Sequence, residues 1–311
     1  MFAIVRNAAA DLTILKQIPP ERKHKMVRLK FSIELNYEIH DRSSDFILNI
    51  HAARTHCQSI VSESLTLSQP IEPDCFTDPV TSTRYTRLEA GSGPLTVRYD
   101  ATVDIAHHVE SNSNLAEMQI IELPSDALIY IYPSRYCQSD RLQSLARKEF
   151  GHLPHGYARV VAIQDWVRER TAFLSGSSNS NTSAIDTVTQ LAGVCRDFAH
   201  LMIAICRALN LPARFVSGID YGADPALGPT DFHAYVEVML SGRWYLFDPS
   251  GVTAPMGLVR IGTGRDAADV SFATVFGSVG STAPIITIAA IENQQQGLAL
   301  PRHREEALST Y

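Results

Sequence analysis

Cysteine is scarce in this chain. Five residues, at 57, 75, 137, 195 and 206, are scattered over 311 positions, and no two form a CxxC pair. That spacing excludes a disulfide scaffold and argues against a zinc ribbon. Long hydrophobic runs are also missing: no stretch of about 18 apolar residues occurs, so no membrane-spanning helix and no membrane partner are expected. Basic charge is not in excess. Lys and Arg number 27 against 33 Asp and Glu, a formal net charge of −6. Nucleic acid is therefore not an expected partner, because phosphate binding relies on clustered Lys and Arg. The apolar run near the N-terminus is short and broken by Arg6, Asp11 and Lys16, which makes a poor secretory signal. A cytoplasmic protein with reduced thiols is the expectation, with Met26 as an alternative start.

What is present is an ordinary globular composition, with 45% hydrophobic and 19% charged residues. It excludes a largely disordered or collagen-like chain and, at this length, points to about two domains. From residue 27 to 110 the pattern is strand-like. In FSIELNYEI the residues Phe31, Ile33, Leu35, Tyr37 and Ile39 alternate with polar ones, and LTVRYDATVDI alternates more cleanly still. Period two places one face in a core and the other in water. Turn residues separate the runs, as expected for an antiparallel β-sandwich-like domain. Residues 1–26 are expected to form a poorly ordered tail, 111–138 a linker, 139–293 a second domain and 294–311 a loosely held tail.

Within the second domain, Ser139 and Asp140 resemble a helix cap before RLQSLARKEFG, and Val160, Ile163 and Val167 recur at helical spacing. The chemistry is concentrated between residues 183 and 251. AIDTVTQLAGVCRDFAHLMIAICRALNLPARFVSGI reads as helix, break at Gly193, helix from about Cys195 to about Ala208, then strand. Cys195 thus falls in the first turn of a helix, where free backbone N–H groups and the positive end of the dipole favour an anion. A thiol so placed is a candidate nucleophile; burial as a small hydrophobe is the equally weighted alternative.

Downstream, HAYVEVML and WYLFDPS form a predicted hairpin, with His233 opening the first strand and Asp248 closing the second. The start of one antiparallel strand lies beside the end of the other, so the imidazole and the carboxylate should meet. Such a pair fixes the tautomer and stabilises the protonated ring. With Cys195 it would complete a Cys–His–Asp triad. Each residue also has a bland role, a strand-edge histidine and a turn aspartate before Pro249. His200 points about 140° away from Cys195 around the helix and is expected in the core. Cys206 lies about 16 Å further along the axis, outside disulfide reach. Asp197 suits the helix dipole, and Asp231 is a candidate for the site entrance. Trp244 and Tyr245 are expected to pack in a strand and the His107–His108 pair to occupy a surface turn. Arg265, Asp266 and Asp269 are expected to open a helix.

GVCRDFAHL, DFHAYVEVML and WYLFDPSG, in that order and at spacings of about forty and fifteen residues, resemble the core of the transglutaminase-like superfamily in its bacterial cysteine-peptidase-like branch. YPSRYCQSD and GLVRIGTGRDAADVSFATVFG resemble the same branch, as does the β-rich N-terminal region. The resemblance covers roughly residues 27–293. It implies an α+β fold with a papain-like core, a nucleophile helix packed on an antiparallel sheet. It also implies Cys195 as nucleophile, His233 as base and Asp248 as the residue orienting the imidazole. Cys137, within a resembling motif, and Asp197 and Asp231 are candidate supporting residues. The implied reaction is cleavage or transfer of an amide acyl group through a Cys thioester, on a protein or peptide, a peptidoglycan stem peptide or a small amide. Hydrolysis is favoured over cross-linking because no amine-binding feature is seen. No cofactor is expected and, without a DxDxDG loop, no metal. Two alternatives belong to other classes: a non-catalytic binding module that keeps the fold, and a thiol-redox protein, which the missing CxxC disfavours.

Overall fold

The computed structural model describes residues 26–223 and 229–311. The expectation of a poorly ordered N-terminal tail concerns residues 1–25, which lie outside the described residues. In chain order the first elements are β1 (Val27–Leu48), β2 (Gln58–Leu67), β3 (Asp74–Thr77), β4 (Arg84–Ile105) and β5 (His108–Glu110). Next come α1 (Gln143–Phe150), α2 (Tyr157–Arg170), β6 (Ala172–Phe173), α3 (Ala184–Gln190), β7 (Ala192–Gly193) and α4 (Cys195–Ala208). The chain continues through β8 (Ala213–Asp220), β9 (Phe232–Leu240), β10 (Arg243–Phe247), β11 (Leu258–Gly264), β12 (Ala273–Phe276), β13 (Val279–Ser281), β14 (Ile285–Ile291) and β15 (Ala307–Ser309).

The β-rich region is one seven-stranded antiparallel sheet. Its backbone is the pairing of β1 with β4, each 22 residues long, from Val27 opposite Ile105 to Leu48 opposite Thr86, with one register shift between Ile39 and Ser43. The period-two pattern explains the register before that shift: Leu29, Phe31, Ile33 and Leu35 from β1 and Val97, Tyr99, Ala101 and Val103 from β4 are all buried. A slip by one residue would turn every one of them to water. Strands β12, β13 and β14 return to pair with β1. The segment 273–291, assigned from sequence to the second domain, therefore completes the sheet of the first.

The second unit is the predicted helix on a sheet. Strands run in the order β10-β9-β8-β11, and α4 packs against β8 and β9. Helix α4 is buried on nearly all sides, from Asp197 to Ala208, because α1, α2 and α3 cover what the sheet leaves open. A helix buried on this many sides is a core element, and its polar residues Asp197, His200 and Arg207 are buried with it.

Several sequence expectations are corrected. Ser139 and Asp140 lie in a short 3-10 turn and cap no helix; α1 begins at Gln143 after Leu142. Residues 265–271 form turns, and β12 follows in place of the expected helix. Asp266 accepts the N–H groups of Tyr136 and Ala268, and Asp269 accepts that of Arg265, which ties the segment as turns to the 111–138 connection. His107 is buried, not a surface turn residue. The C-terminal residues are not loosely held. β15 pairs with β5, and Ser309 and Thr310 have no exposed surface.

Candidate active site

Local backbone chemistry starts α4 at Cys195. Val194 is extended and occupies the cap position, but valine has no side-chain oxygen to bind the first helical donors. The compensation comes from Asp197, whose Oδ2 accepts the Val194 N–H at 2.9 Å. Asp197 is itself fully buried and accepts from Ser178 Oγ at 3.0 Å and from Arg196 Nη2 at 3.3 Å. Gly193 is required here: a Cβ would lie 2.7 Å from that of Asp197. The half-buried Cys195 therefore opens the helix, and its own N–H is among the first-turn donors that have no intrahelical acceptor. Its Sγ lies 4.0 Å from the carbonyl oxygen of Phe232, the residue before His233.

His233 sits on β9 opposite Gly218 of β8. Asp248 directly follows β10, which pairs with β9 up to Phe247 opposite Val236. The hairpin brings His233 Nε2 to 3.5 Å from Asp248 Oδ1. Asp248 is pinned in turn. Its Oδ1 accepts from the N–H and Oγ of Ser250, at 2.9 and 2.6 Å, while its carbonyl oxygen accepts from Arg168 Nη2 at 2.7 Å. Burial disfavours its charge, but His233, Ser250 and Thr253 hold the carboxyl below its usual range.

One residue at the site was missed from sequence. Asp220, the last residue of β8, places Oδ2 3.3 Å from His233 Nδ1. The signal was available in the strand periodicity, because Asp220 lies two residues beyond the Gly218 that faces His233 and so shares its side of the sheet. Burial works against a charged His233, yet Asp220, Cys195 and Asp248 hold the imidazole protonated well above its ordinary value.

Cys195, His233 and Asp220 line a cleft of about 790 Å³ whose walls include Phe173, Phe215, Phe232, Phe272 and Val270, with Arg196 and Asp231 as further charged residues. Asp231 stands at the rim and accepts the N–H of Phe232 at 2.7 Å. Cys137 does not line the cleft. It is wholly buried beside α1 and α4, and burial pushes its thiol up to about 12. Cys206 behaves likewise. His200 is a core residue, stacked on Tyr136 at 5.0 Å and accepting the N–H of Ala267 at 3.1 Å. Trp244 packs against Tyr130 of the 111–138 segment. Among the described residues no group of three or more His, Cys, Asp or Glu is placed to hold a metal ion, and no helix is long and apolar enough to cross a membrane.

A helix-borne cysteine facing a histidine–aspartate hairpin across a cleft defines the class. Residues 143–249 match the model of the transglutaminase-like superfamily, and residues 27–126 match that of the bacterial transglutaminase N-terminal domain. A crystal structure from Cytophaga hutchinsonii, provisionally assigned as a cysteine protease, superposes with a TM-score of 0.85 at 39% identity, covering 92% of this chain and 98% of that one. The chain belongs to the transglutaminase-like superfamily. Uncharacterized protein ML0607 of Mycobacterium leprae is 28% identical over 185 residues, 55% of this chain and 66% of that protein. Uncharacterized protein Rv2569c of Mycobacterium tuberculosis is 35% identical over 109 residues, 32% of this chain and 35% of that protein. The matches thus span about two thirds and one third of these two mycobacterial relatives.

Proposed function

We propose that the protein is a cysteine-dependent enzyme that cleaves amide bonds of a protein or peptide, a glutamine side chain or a peptide bond, through a thioester. The observation that carries this reading is that Cys195 and His233 line one cleft while Asp248 is buried behind the imidazole, 3.5 Å from its Nε2. The Cys195 thiolate attacks the amide carbon, a C–S bond forms and the carbonyl π pair moves to oxygen. The first-turn N–H of Cys195 is the candidate donor for that oxyanion, since preorganised donors aimed at developing charge supply much of such a rate. As the oxyanion collapses, the C–N bond breaks and His233 gives its proton to the departing nitrogen. Water then attacks the thioester, His233 takes up its proton, the C–S bond breaks and the carboxylic product leaves. Asp248 keeps the ring oriented throughout. The apolar walls of the cleft suit a peptide segment with bulky side chains. Hydrolysis is favoured over cross-linking, since the carboxylates near the site are already engaged by His233 and by backbone.

The test is a screen of glutamine-containing and unmodified peptides, reading ammonia release and peptide cleavage, with and without a fluorescent primary amine. Wild type should release ammonia or cleave peptides with little amine incorporated, and Cys195→Ser should do neither. Equal turnover by Cys195→Ser would overturn the mechanism. Dominant amine incorporation would overturn the preference for water.

A further inference from the structure

Asp248 is the carboxylate that a Cys–His–Asp arrangement calls for, and Asp220 is a second one on the same ring. Its position is not incidental. Asp220 is 4% exposed, and its Oδ1 accepts from the hydroxyl of Tyr235 at 2.5 Å, which in turn lies 2.6 Å from Thr253 Oγ1. One carboxylate oxygen is thereby occupied and the other is left facing His233 Nδ1 at 3.3 Å. Tyr235 also braces the imidazole directly, with ring centroids 4.6 Å apart in an edge-on arrangement.

We propose that Asp220 is a positioning residue: seated by Tyr235 and Thr253, it lies against His233 Nδ1, the nitrogen left to exchange the proton, while Asp248 holds Nε2, and so sets both the orientation and the charge of the ring. This rests on His233 acting as the acid–base group of the proposed reaction. A neutral imidazole carries one N–H and one lone pair. Between two carboxylates, the neutral ring would turn its lone pair toward one of them, whereas the imidazolium satisfies both. The groups that face the ring come from every element around it: Asp220 from β8, Tyr235 from β9, Asp231 just before β9, Asp248 and Ser250 after β10, and Cys195 from α4. Asp220 and Asp248 also differ from each other. Burial pushes the Asp220 carboxyl up, while the His233 charge, with hydrogen bonds from His233, Ser250 and Thr253, holds that of Asp248 down against its own burial. Environments that drive two acids apart mark a division of labour.

This has a consequence for the reaction. Acylation spends the ring's proton on the departing nitrogen and removes the thiolate charge but leaves both carboxylates, so in the thioester His233 takes a proton back from solvent. The ring must lose that proton before it can accept one from water, so Asp220 makes breakdown of the thioester the pH-sensitive step.

The test is the titration of His233 followed by two-bond 1H–15N NMR of the full chain carrying Cys195→Ser, which removes the thiolate. The midpoint should lie well above 6.5. Asp220→Asn should lower it by about one pH unit or more, a tenfold loss of proton affinity. Asp220→Glu should restore part of the shift, which a merely structural role would not produce. A midpoint in Asp220→Asn within about 0.3 unit of its parent would overturn the proposal. If Asp220→Asn does not fold, Tyr235→Phe tests the same contact: a displaced midpoint supports it and an unchanged one overturns it. The titration reads no turnover, so an absence of amide cleavage in the earlier screen would sink the proposed function and leave this result interpretable.

Discussion

The Asp197 carboxylate accepts the backbone N–H of Val194 at 2.9 Å, one residue before the thiol. It thereby fixes the start of the nucleophile helix from inside the protein. Asp197→Ala should cost about 1–2 kcal/mol for the lost cap. It should also free Ser178 and Arg196, which both bond to this carboxylate. Thermal denaturation should show a fall in Tm of several degrees, and alkylation of Cys195 in the folded variant should slow. An unchanged Tm would mean that Gly193 and Val194 hold the helix start unaided.

Asp248→Asn should leave the fold intact and reduce kcat/KM by roughly 10²–10⁴-fold, the range seen when such an orienting carboxylate is neutralised. Iodoacetamide labelling of Cys195 at pH 6, read by peptide mass, should be fast in wild type and slow in both Asp248→Asn and His233→Ala. Equal labelling of all three would identify a thiol that works without the imidazole, and attention would pass to the non-catalytic reading.

Stability should fall on mild acidification. His107 and His51 are held down to about 4 by burial, helped by Arg304 near His107 and by Arg84 near His51. Their unfolded value is near 6.5. Between those limits the unfolded chain binds more protons, so stability rises with pH and is lost as pH falls from about 6.5 toward 4. For His107 the full shift is worth about 3 kcal/mol. In urea titrations, His107→Gln should flatten this dependence. His233 acts in the opposite sense. Its raised value contributes stability that is complete below pH 6.5 and is lost as pH climbs through its folded value.

Glu237 lies on β9 with no exposed surface, clamped between Arg214, at 2.7 Å, and Arg260. Glu237→Ala should destabilise by about 3–5 kcal/mol, because it strands two buried guanidinium groups. The loss should appear as a shift of the urea midpoint. Arg260 also donates to Thr310 Oγ1 at 2.9 Å, and Arg214 lies under the Tyr311 ring at 4.3 Å. Removing residues 307–311 should therefore destabilise the second sheet as well, an outcome that a loosely held tail would not produce.

Where a single element carries its own instructions, sequence and structure agree residue by residue. Gly193 and the apolar run after it place α4 at Cys195–Ala208, and turn arithmetic puts His200 away from the cleft. The hairpin from His233 to Asp248 follows from alternation, and with it the meeting of imidazole and carboxylate. The failures share a cause. Asp266, His107 and Thr310 owe their burial to partners far away in the chain, namely Tyr136 for Asp266 and Arg260 for Thr310, while Arg304 lies near His107. No local period signals such contacts. The 265–271 segment shows the same limit: Asp266, near a predicted helix start, instead binds the N–H of Tyr136, 130 residues away.

By itself the sequence determined the period of each element, the helix-terminal position of the thiol and the pairing of His233 with Asp248, because periodicity and hairpin geometry are short-range properties of the backbone. Only the tertiary structure decided that strands β12–β14 complete the first sheet, that the C-terminal residues cover Arg214 and Arg260, and that Asp220 faces the second ring nitrogen. Those outcomes depend on which strand lies beside which across long stretches of chain. Burial then selects among the pairings by the apolar surface and the hydrogen-bond partners each one provides.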